Sequence, residues 1–203
     1  MKVLLATSNR NKISEFRDIL KEDGIEVVGL PDMPEELNVE ETGQTFLENA
    51  ILKARAAFEK FGIPTAADDS GLEVEALENR PGVLSSRFAG ENATDEENNA
   101  KLISLLKDVP DGKRTARFVC LAVFFTGEKE VSFAEGWVDG VITREPRGTN
   151  GFGYDPLFLY QPLKKTFAEL SAQEKNKISH RKKAIHAIRY KILEFKKALP
   201  DGS

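Results

Sequence analysis

The first part of the chain alternates short apolar runs with an amphipathic helix, and this order restricts the available folds more than any other feature. Val3–Thr7 is a short apolar run that predicts a buried strand. Residues 11–23 predict a helix, because apolar residues recur there at spacings of three and four. Asp23-Gly24 ends this helix, and Ile25–Val28 predicts a second strand. The apolar face of the helix consists of Ile13, Phe16 and Leu20.

The rest of the chain continues to mix helices and strands. Residues 31–44 predict an acidic loop, and residues 145–156 a glycine-rich one. The predicted order is β-α-β, a helix, two strands, a helix, two strands and a helix, which favours an α/β fold with a mixed sheet. No repeat or clear linker interrupts it, so we expect one domain over residues 1–203. The later elements are a helix at 45–61 with a Thr45/Glu48 capping box and Gly62 at its end, strands at 65–71 and 72–77, a helix capped by Thr94, a hairpin of 117–126 and 130–142 about Gly127, a short helix capped by Ser171, and a helix at 179–198.

Composition excludes several classes of protein. Hydrophobic residues make up 40% of the chain and are spread evenly, so a disordered chain is excluded. No apolar run approaches the roughly 20 residues that span a bilayer, and the first residues are too short an apolar stretch for a signal peptide. The single cysteine, Cys120, excludes an intramolecular disulfide and a cysteine-rich zinc site. We therefore expect a cytoplasmic protein with no membrane partner.

Charge is distributed unevenly along the chain. The net charge of −4 argues against general binding of duplex DNA, and we expect no nucleic-acid partner. Residues 164–197 nevertheless contain eleven Lys and Arg against three Glu, whereas residues 31–50 contain six acids and no base. This pairing suits a polyanionic ligand that carries a divalent cation, although a solvated basic helix and an acidic loop would give the same pattern.

The first candidate site is the junction between the first strand and the first helix. A helix N-terminus that follows a strand offers free backbone N–H groups to an anion. Lys12 lies in the first turn, where a cation opposes the helix dipole, and a bound phosphate would explain it. An ordinary Asn-rich cap with a solvated lysine is the alternative. The junction reads Thr7, Ser8, Asn9, Arg10, Asn11, Lys12.

Carboxylates form the second and third candidates. Asp68-Asp69-Ser70-Gly71 ends a predicted strand, where neighbouring side chains face opposite sides, so one aspartate can hold Mg²⁺ and orient a water. The alternative is a polar turn. Any of Glu40, Glu41 and Glu48 offers a second metal ligand, and the residues alone do not rank them; Glu48 also fits the capping box.

Two further segments indicate ligand binding. Residues 148–156 combine three glycines with Phe152, Tyr154 and Asp155, a pattern that permits close backbone approach and offers ring faces. Residues 174–181 place cations at a helix start and include one of the two histidines of the chain. A flexible loop and ordinary helix packing are the respective alternatives.

Taken together and in this order, these segments resemble the inosine triphosphate pyrophosphatase family. The resemblance runs from residue 7 to residue 181 and rests on five motifs. They are Thr7–Lys12, Glu41-Thr42-Gly43 through Glu48-Asn49-Ala50, Ala67–Gly71, Phe152–Asp155 and Ser179-His180-Arg181.

The resemblance implies an elongated mixed β-sheet flanked by helices, with two lobes around a central cleft, and a homodimer that depends on Mg²⁺. It implies hydrolysis of ITP, dITP and XTP to the nucleoside monophosphate and pyrophosphate, which cleanses the nucleotide pool. Thr7 to Lys12 would bind the triphosphate, Asp69 would accept a proton and bind metal, and Ser70 would touch substrate. Either Glu40 or Glu48 would be the other metal ligand. The nucleotide and its base would meet Phe152, Gly153, Tyr154, Asp155, Lys175, His180 and Arg181.

Two other functions remain compatible with the residues. A sister class of similar fold cleaves modified pyrimidine or guanine nucleotides, and a panel of substrates separates the two. A nucleotide-binding or RNA-binding module without catalysis would use the basic segment and the aromatic loop, and it predicts affinity without turnover.

Overall fold

The computed structural model describes residues 1–127 and 131–199. Within them the chain forms two compact units. Unit 1 takes the described residues of Met1–Asp69, Cys120–Gly136 and Arg181–Ser203, and unit 2 takes Ser70–Val119 and Trp137–His180. The helices are α1 (Arg10–Leu20), α2 (Phe46–Phe61), α3 (Asp95–Leu105), α4 (Ala172–Ile178) and α5 (His180–Ala198). The strands are β1 (Lys2–Leu5), β2 (Glu26–Gly29), β3 (Thr65–Val74), β4 (Arg80–Pro81), β5 (Thr115–Phe125), β6 (Ser132–Ile142), β7 (Phe158–Tyr160) and β8 (Lys165–Thr166).

Unit 1 contains the predicted β-α-β arrangement. Strand β1 lies between β2 and β3 and pairs in parallel with both, with Leu5 opposite Gly29 on one side and Ala66 on the other. Helix α1 connects β1 to β2, and its buried residues are the predicted Ile13, Phe16 and Leu20. The helix ends three residues earlier than expected, because Lys21–Asp23 tightens into a 3-10 turn before Gly24 adopts a left-handed conformation.

The strands of unit 1 alternate between two apolar cores. Val3, Leu5 and Ala66 pack with α1 and α5, whereas Leu4 and Ala67 pack with α2. This alternation follows from the strand period of two and makes the sheet a layer between helices. Consecutive residues of β3 therefore address different helices, which decides the surroundings of the aspartates that follow.

Unit 2 has its own apolar core and an antiparallel arrangement. Strands β6 and β7 pair through Ile142 and Phe158, and β7 pairs with β8 through Leu159 and Thr166, both antiparallel. Strand β4 pairs with the end of β3, also antiparallel. With the parallel strands of unit 1 this confirms the predicted mixed α/β fold. The core is formed by residues such as Leu72, Leu102, Phe118, Phe158 and Phe167.

Most of the predicted elements are confirmed, with one correction in α2. Its capping box, formed by Thr45 and Glu48, and its end at Gly62 are as predicted. The sequence also predicts an apolar stripe of Leu47, Ile51, Ala54, Phe58 and Phe61 on this helix; Ala54 is fully buried, whereas the other four are only partly buried. Small side chains allow closer approach to the sheet: Asn49, Ala50, Ala54 and Ala57 are fully buried, and Phe46 at the start of the helix is buried as well.

The other boundaries differ by a few residues. The predicted strands at 65–71 and 72–77 form one strand, β3, followed by a 3-10 turn over Glu75–Leu77. Strands β5 and β6 are neighbours, as the predicted hairpin requires, although its residue 130 lies outside the described residues. None of the helices in the described ranges is long and apolar enough to cross a membrane.

Candidate functional site

The neighbouring aspartates of β3 point to opposite sides of the sheet in unit 1, as the sequence predicts. Asp68 faces the side that α1 and α5 cover, and Asp69 faces α2. Both carboxylates are buried. Because a buried carboxylate is stable only with charged or hydrogen-bonding partners, each aspartate defines a separate polar cluster.

The Asp68 cluster contains two cations. Oδ2 of Asp68 lies 2.9 Å from Nζ of Lys12 and 3.2 Å from Nε of Arg181, and the Cys120 thiol contacts the same oxygen at 3.7 Å. Arg181 also donates from Nη1 to Glu15 at 2.9 Å. Burial by itself raises the pKa of Asp68, but Lys12 and Arg181 outweigh it and hold the pKa well below its usual value. Asp68 is therefore ionised at neutral pH.

The Asp69 cluster has one cation between two carboxylates. Nζ of Lys53 lies 3.0 Å from Oδ1 of Asp69 and 3.0 Å from Oε1 of Glu41. Asn49 donates to the other oxygen of Asp69 at 3.3 Å and accepts from the N–H of Gly43 at 2.8 Å. Burial raises the pKa of Asp69, and Lys53 offsets this only in part. A raised pKa makes Asp69 a stronger base than an exposed aspartate.

The structure separates the three acidic residues that were considered as metal ligands. Glu41 shares Lys53 with Asp69, whereas Glu40 is exposed. The carboxylate of Glu48 accepts the N–H groups of Gln44 at 2.7 Å and Thr45 at 3.1 Å, which is its capping role. Metal binding by Glu40 or Glu48 stays a prediction, but Glu41 is the acid that the fold brings to Asp69. Within 1–127 and 131–199, no group of three or more His, Cys, Asp and Glu side chains forms a metal site.

The start of α1 has the predicted cap. The side chain of Asn9 accepts the N–H groups of Asn11 at 2.9 Å and Lys12 at 3.3 Å, and Thr7 accepts the N–H of Asn9 at 3.2 Å. Ser8, Asn9, Arg10 and Asn11 are exposed, so they are accessible to a ligand. Lys12 opposes the helix dipole but meets Asp68, a partner that sequence reasoning did not foresee. Phosphate binding by this segment stays a prediction.

In unit 2, the predicted base-binding residues form a cluster. Lys175, although a lysine, is only 7% exposed and pairs with the carboxylate of Asp155. Its Nζ lies 4.8 Å from the ring centre of Phe152, a cation–π distance. The N–H of Phe152 donates to Asp155 at 3.0 Å. The structure therefore brings Phe152 and Asp155 of the glycine-rich loop next to Lys175; base binding by these residues stays a prediction.

Aromatic packing places the remaining residues of this cluster. His180 is buried and stacks on Phe118, with ring centres 4.8 Å apart and planes inclined by 12°. Phe118 stacks in turn on Phe167, whose ring centre lies 5.7 Å from Nζ of Lys175. Tyr154 is buried and donates its hydroxyl to the carbonyl of Ser85 at 2.8 Å. Of the other predicted residues, Ser70 is half-buried and follows Asp69 on β3, and Arg181 belongs to the Asp68 cluster of unit 1.

Sequence reasoning missed Lys53 and did not assign a role to Asn49. Both lie on the buried side of α2, four residues apart, among small apolar residues. A polar pair at helical spacing within an apolar stripe is a detectable signal, because burying such groups is unfavourable unless they have a partner.

Comparison with known proteins relates these clusters to a family. Residues 3–191 match the Ham1 family. The chain belongs to the Ham1 family. Among its relatives, the dITP/XTP pyrophosphatase of Desulforamulus reducens is 52% identical over 91% of this chain and 92% of that protein. The dITP/XTP pyrophosphatase of Escherichia coli K12 is 47% identical over 91% of this chain and 94% of its own length.

Solved Ham1 structures share the fold. The HAM1 protein from Coxiella burnetii superposes with a TM-score of 0.88 at 41% identity and covers 96% of this chain and 99% of its own. The Ham1 protein of Staphylococcus aureus gives a TM-score of 0.86, also at 41% identity, over 97% of this chain and 100% of its own. These similarities confirm that the resemblance found in the sequence extends over nearly the whole chain.

Proposed function

We propose that this protein hydrolyses dITP, ITP and XTP to the nucleoside monophosphate and pyrophosphate, and so removes non-standard purines from the nucleotide pool. The observation that carries this proposal is the 52% identity, over 91% of the chain, with a protein named dITP/XTP pyrophosphatase. The clusters around Asp68 and Asp69 support it, because they provide a buried base and cations suited to a triphosphate.

Asp69 is the residue best suited to take a proton from the attacking water. Asn49 and Lys53 each hold one of its oxygens, so the carboxylate is fixed before substrate arrives. Its raised pKa brings it nearer to neutrality, where a general base is most effective. Water oriented by Asp69 attacks the α-phosphorus, and pyrophosphate leaves with the bridging oxygen.

The negative charge that develops on the leaving group needs cations held in place. Lys12 and Lys53 are both largely buried and already lie against carboxylates, so their ammonium groups are fixed in position. The exposed segment from Ser8 to Asn11, with the half-buried Thr7 before it, offers polar groups at the start of α1 for the triphosphate.

Mg²⁺ fits the Asp69 cluster. The carboxylates of Asp69 and Glu41, which both contact Lys53, are oxygen ligands of the kind that Mg²⁺ prefers. Two carboxylates suffice, because Mg²⁺ commonly uses one or two of them together with waters and substrate phosphates. Asp69 and Glu41 would hold the ion, which when bound stabilises phosphate charge and lowers the pKa of a coordinated water.

The unit 2 cluster would receive the nucleotide base. Phe152 offers a ring face, and Lys175 with Asp155 offers a donor and an acceptor next to it. We further propose that the protein is a homodimer in the cytoplasm, as the family resemblance implies; light scattering after gel filtration tests the dimer.

The deciding experiment identifies products. The protein is incubated with ITP, dITP, XTP, dGTP, ATP or a modified pyrimidine triphosphate, with Mg²⁺ or with EDTA. We expect monophosphate and pyrophosphate to form far faster from the first three than from the others, by roughly a hundredfold for ITP over ATP, and only with Mg²⁺. Release of inorganic phosphate, preference for modified pyrimidine or guanine nucleotides, or binding without turnover would each contradict the proposal.

A further inference from the structure

One residue of the glycine-rich loop is held by helix α3 through both of its backbone polar groups. The N–H of Gly153 donates to Oδ2 of Asp95 at 2.6 Å, and the carbonyl of Gly153 accepts from Nδ2 of Asn99 at 2.9 Å. Asp95 and Asn99 are four residues apart and share one side of α3. All three residues belong to unit 2. The helix therefore holds the loop at a single residue, through the two peptide groups on either side of its Cα.

The position of this grip matters because of its neighbours. Gly153 lies between Phe152 and Tyr154 and has a left-handed backbone with φ of 61°. Phe152 contacts Lys175, and Asp155 pairs with that lysine. Because the peptide groups on both sides of Gly153 are held, the direction in which the chain presents the Phe152 ring and the Asp155 carboxylate is held as well.

Asn99 differs from its neighbour Asn98 in how it uses its amide. Asn98 accepts the N–H of Ala89 at 2.7 Å and donates to the carbonyl of Ser86 at 3.1 Å. Oδ1 of Asn99 is buried and has no hydrogen-bond partner among the residues that the structure describes. A buried acceptor without a partner is unfavourable. An apolar side chain of the same size at this position would avoid that penalty. The benefit of an amide at position 99 is therefore its hydrogen bond to the carbonyl of Gly153.

We propose that Asp95 and Asn99 are positioning residues for recognition of the purine base. They hold the glycine-rich loop in its binding geometry without touching the nucleotide. A loop that is already ordered loses less conformational freedom on binding, so affinity for the base rises. This inference rests on the proposed function, which assigns the base to Phe152 and Asp155.

The first test replaces the two asparagines in parallel. Asn99→Leu removes the grip together with the unpartnered acceptor, and the half-buried carbonyl of Gly153 becomes free to bind water. We expect the Tm of this variant to be unchanged or higher, while KM for ITP rises about fivefold to tenfold and kcat changes less than about twofold. Asn98→Leu is the control and should lower Tm without changing KM. A fall in Tm for Asn99→Leu with KM unchanged would overturn the proposal.

The second test uses the two acids at the start of α3. Asp95→Ala and Glu96→Ala each remove one negative charge from the first helical turn, but only Asp95 contacts Gly153. We expect KM for ITP to rise in the Asp95 variant alone. Asp95→Asn should keep KM for ITP near the wild-type value, because the amide oxygen still accepts the Gly153 N–H. Equal effects of the two alanine variants would mean that helix stability, and not the loop, is responsible.

Two readouts separate this inference from the proposed function. Hydrogen exchange of a peptide covering residues 151–155 should accelerate in Asp95→Ala and Asn99→Leu but not in the controls, whether or not ITP is a substrate. Inhibition by inorganic triphosphate, which has no base, should keep the same inhibition constant in every variant. Unchanged hydrogen exchange in this peptide would contradict the claim that Asp95 and Asn99 hold the loop in place. Faster exchange with unchanged KM, or a parallel loss of triphosphate binding, would overturn its role in base recognition.

Discussion

Nε of Arg181 donates to Oδ2 of Asp68 across 3.2 Å, and neither side chain is more than 2% exposed. The same carboxylate oxygen also meets Lys12, a residue of the candidate phosphate-binding segment. One buried anion therefore holds a cation from the first helix and a cation from the last helix of the chain. Asp68 therefore links α1 and α5 within unit 1. Its neighbour Asp69 has a raised pKa, as a general base requires.

Asp68→Asn should destabilise the protein strongly. The substitution leaves Lys12 and Arg181 as buried cations without their shared anion, and removing one partner of a buried pair costs about 3–5 kcal/mol. Denaturant unfolding measures the change, with Asp139→Asn as a control because Asp139 forms an exposed pair with Arg117. A loss no greater than that of the control would show that Asp68 is not the centre of this cluster.

The same variant carries a pH signature. The pKa of Asp68 is lowered on folding, so its contribution to stability is present above the unfolded pKa of about 4 and is lost as pH falls toward the folded value. Wild-type stability should therefore fall below about pH 4 more steeply than that of Asp68→Asn. Parallel curves for the two proteins would contradict the lowered pKa.

Asp69→Asn should abolish most turnover while leaving substrate affinity within about threefold. The amide keeps the shape and can still bond to Asn49 or Lys53, but it cannot take a proton; loss of a general base lowers kcat by about 10² to 10⁴. Steady-state kinetics with ITP and a binding assay measure the two effects separately. Turnover near that of the wild type would exclude Asp69 as the proton acceptor.

Lys53→Met tests the cation between the carboxylates. Lys53 is the charge that most lowers the pKa of Asp69 against the effect of burial, so its removal should raise that pKa further. The active, ionised base then appears at higher pH, and the acid limb of the kcat/KM profile should move upward. KM for triphosphate should also rise, because a cation is lost.

Lys60→Met is the matched control for this variant. Lys60 lies on the same helix but pairs with Glu35. The pH profile of kcat/KM for Lys60→Met should coincide with that of the wild type. An acid limb that stays in place, or moves to lower pH, in Lys53→Met would show that Lys53 does not set the protonation of Asp69.

Regular patterns in the sequence predicted the elements and part of the site. The opposite orientation of Asp68 and Asp69 follows from the strand period, and the ends of α2 follow from Thr45, Glu48 and Gly62. These features are local, so spacing alone determines them. The mixed sheet followed in the same way from the order of the predicted elements.

Contacts that depend on the path of a loop were not predictable in this way. Residues 31–44 have no apolar period, so nothing in the sequence selects Glu41 over Glu40 as the neighbour of Lys53. The partner of Lys12 lies on another element, 56 positions away, and only the tertiary structure brings Asp68 to it. The sequence singles out Asp68 as a candidate site residue, but it does not predict that Asp68 pairs with Lys12.

The last prediction concerns the choice of base by Arg181. Inosine and xanthine present O6 as an acceptor and N1–H as a donor, whereas adenine presents the reverse pattern. To read this difference, as the family resemblance implies, the guanidinium of Arg181 would have to exchange part of its pairing with Asp68 and Glu15 for O6. It would then oppose the amine of adenine, and each unpaired buried donor costs about 1–3 kcal/mol. Two such mismatches give roughly a hundredfold preference for ITP over ATP. Removing Arg181 would also break its ion pairs with Asp68 and Glu15.

Because Arg181→Ala would also remove the cation that Asp68 and Glu15 share, Arg181→Lys is the sharper variant. Lysine keeps the positive charge but lacks the planar fork of donors. We expect the ITP/ATP ratio of kcat/KM to shrink by about tenfold in Arg181→Lys with a modest change in Tm, and further in Arg181→Ala. Phe152→Ala is the control: stacking does not distinguish purines, so ITP, ATP and GTP should all weaken alike. If the ratio is unchanged in both Arg181 variants, the base is read by other residues, and His180 or backbone N–H groups of unit 2 become the next candidates.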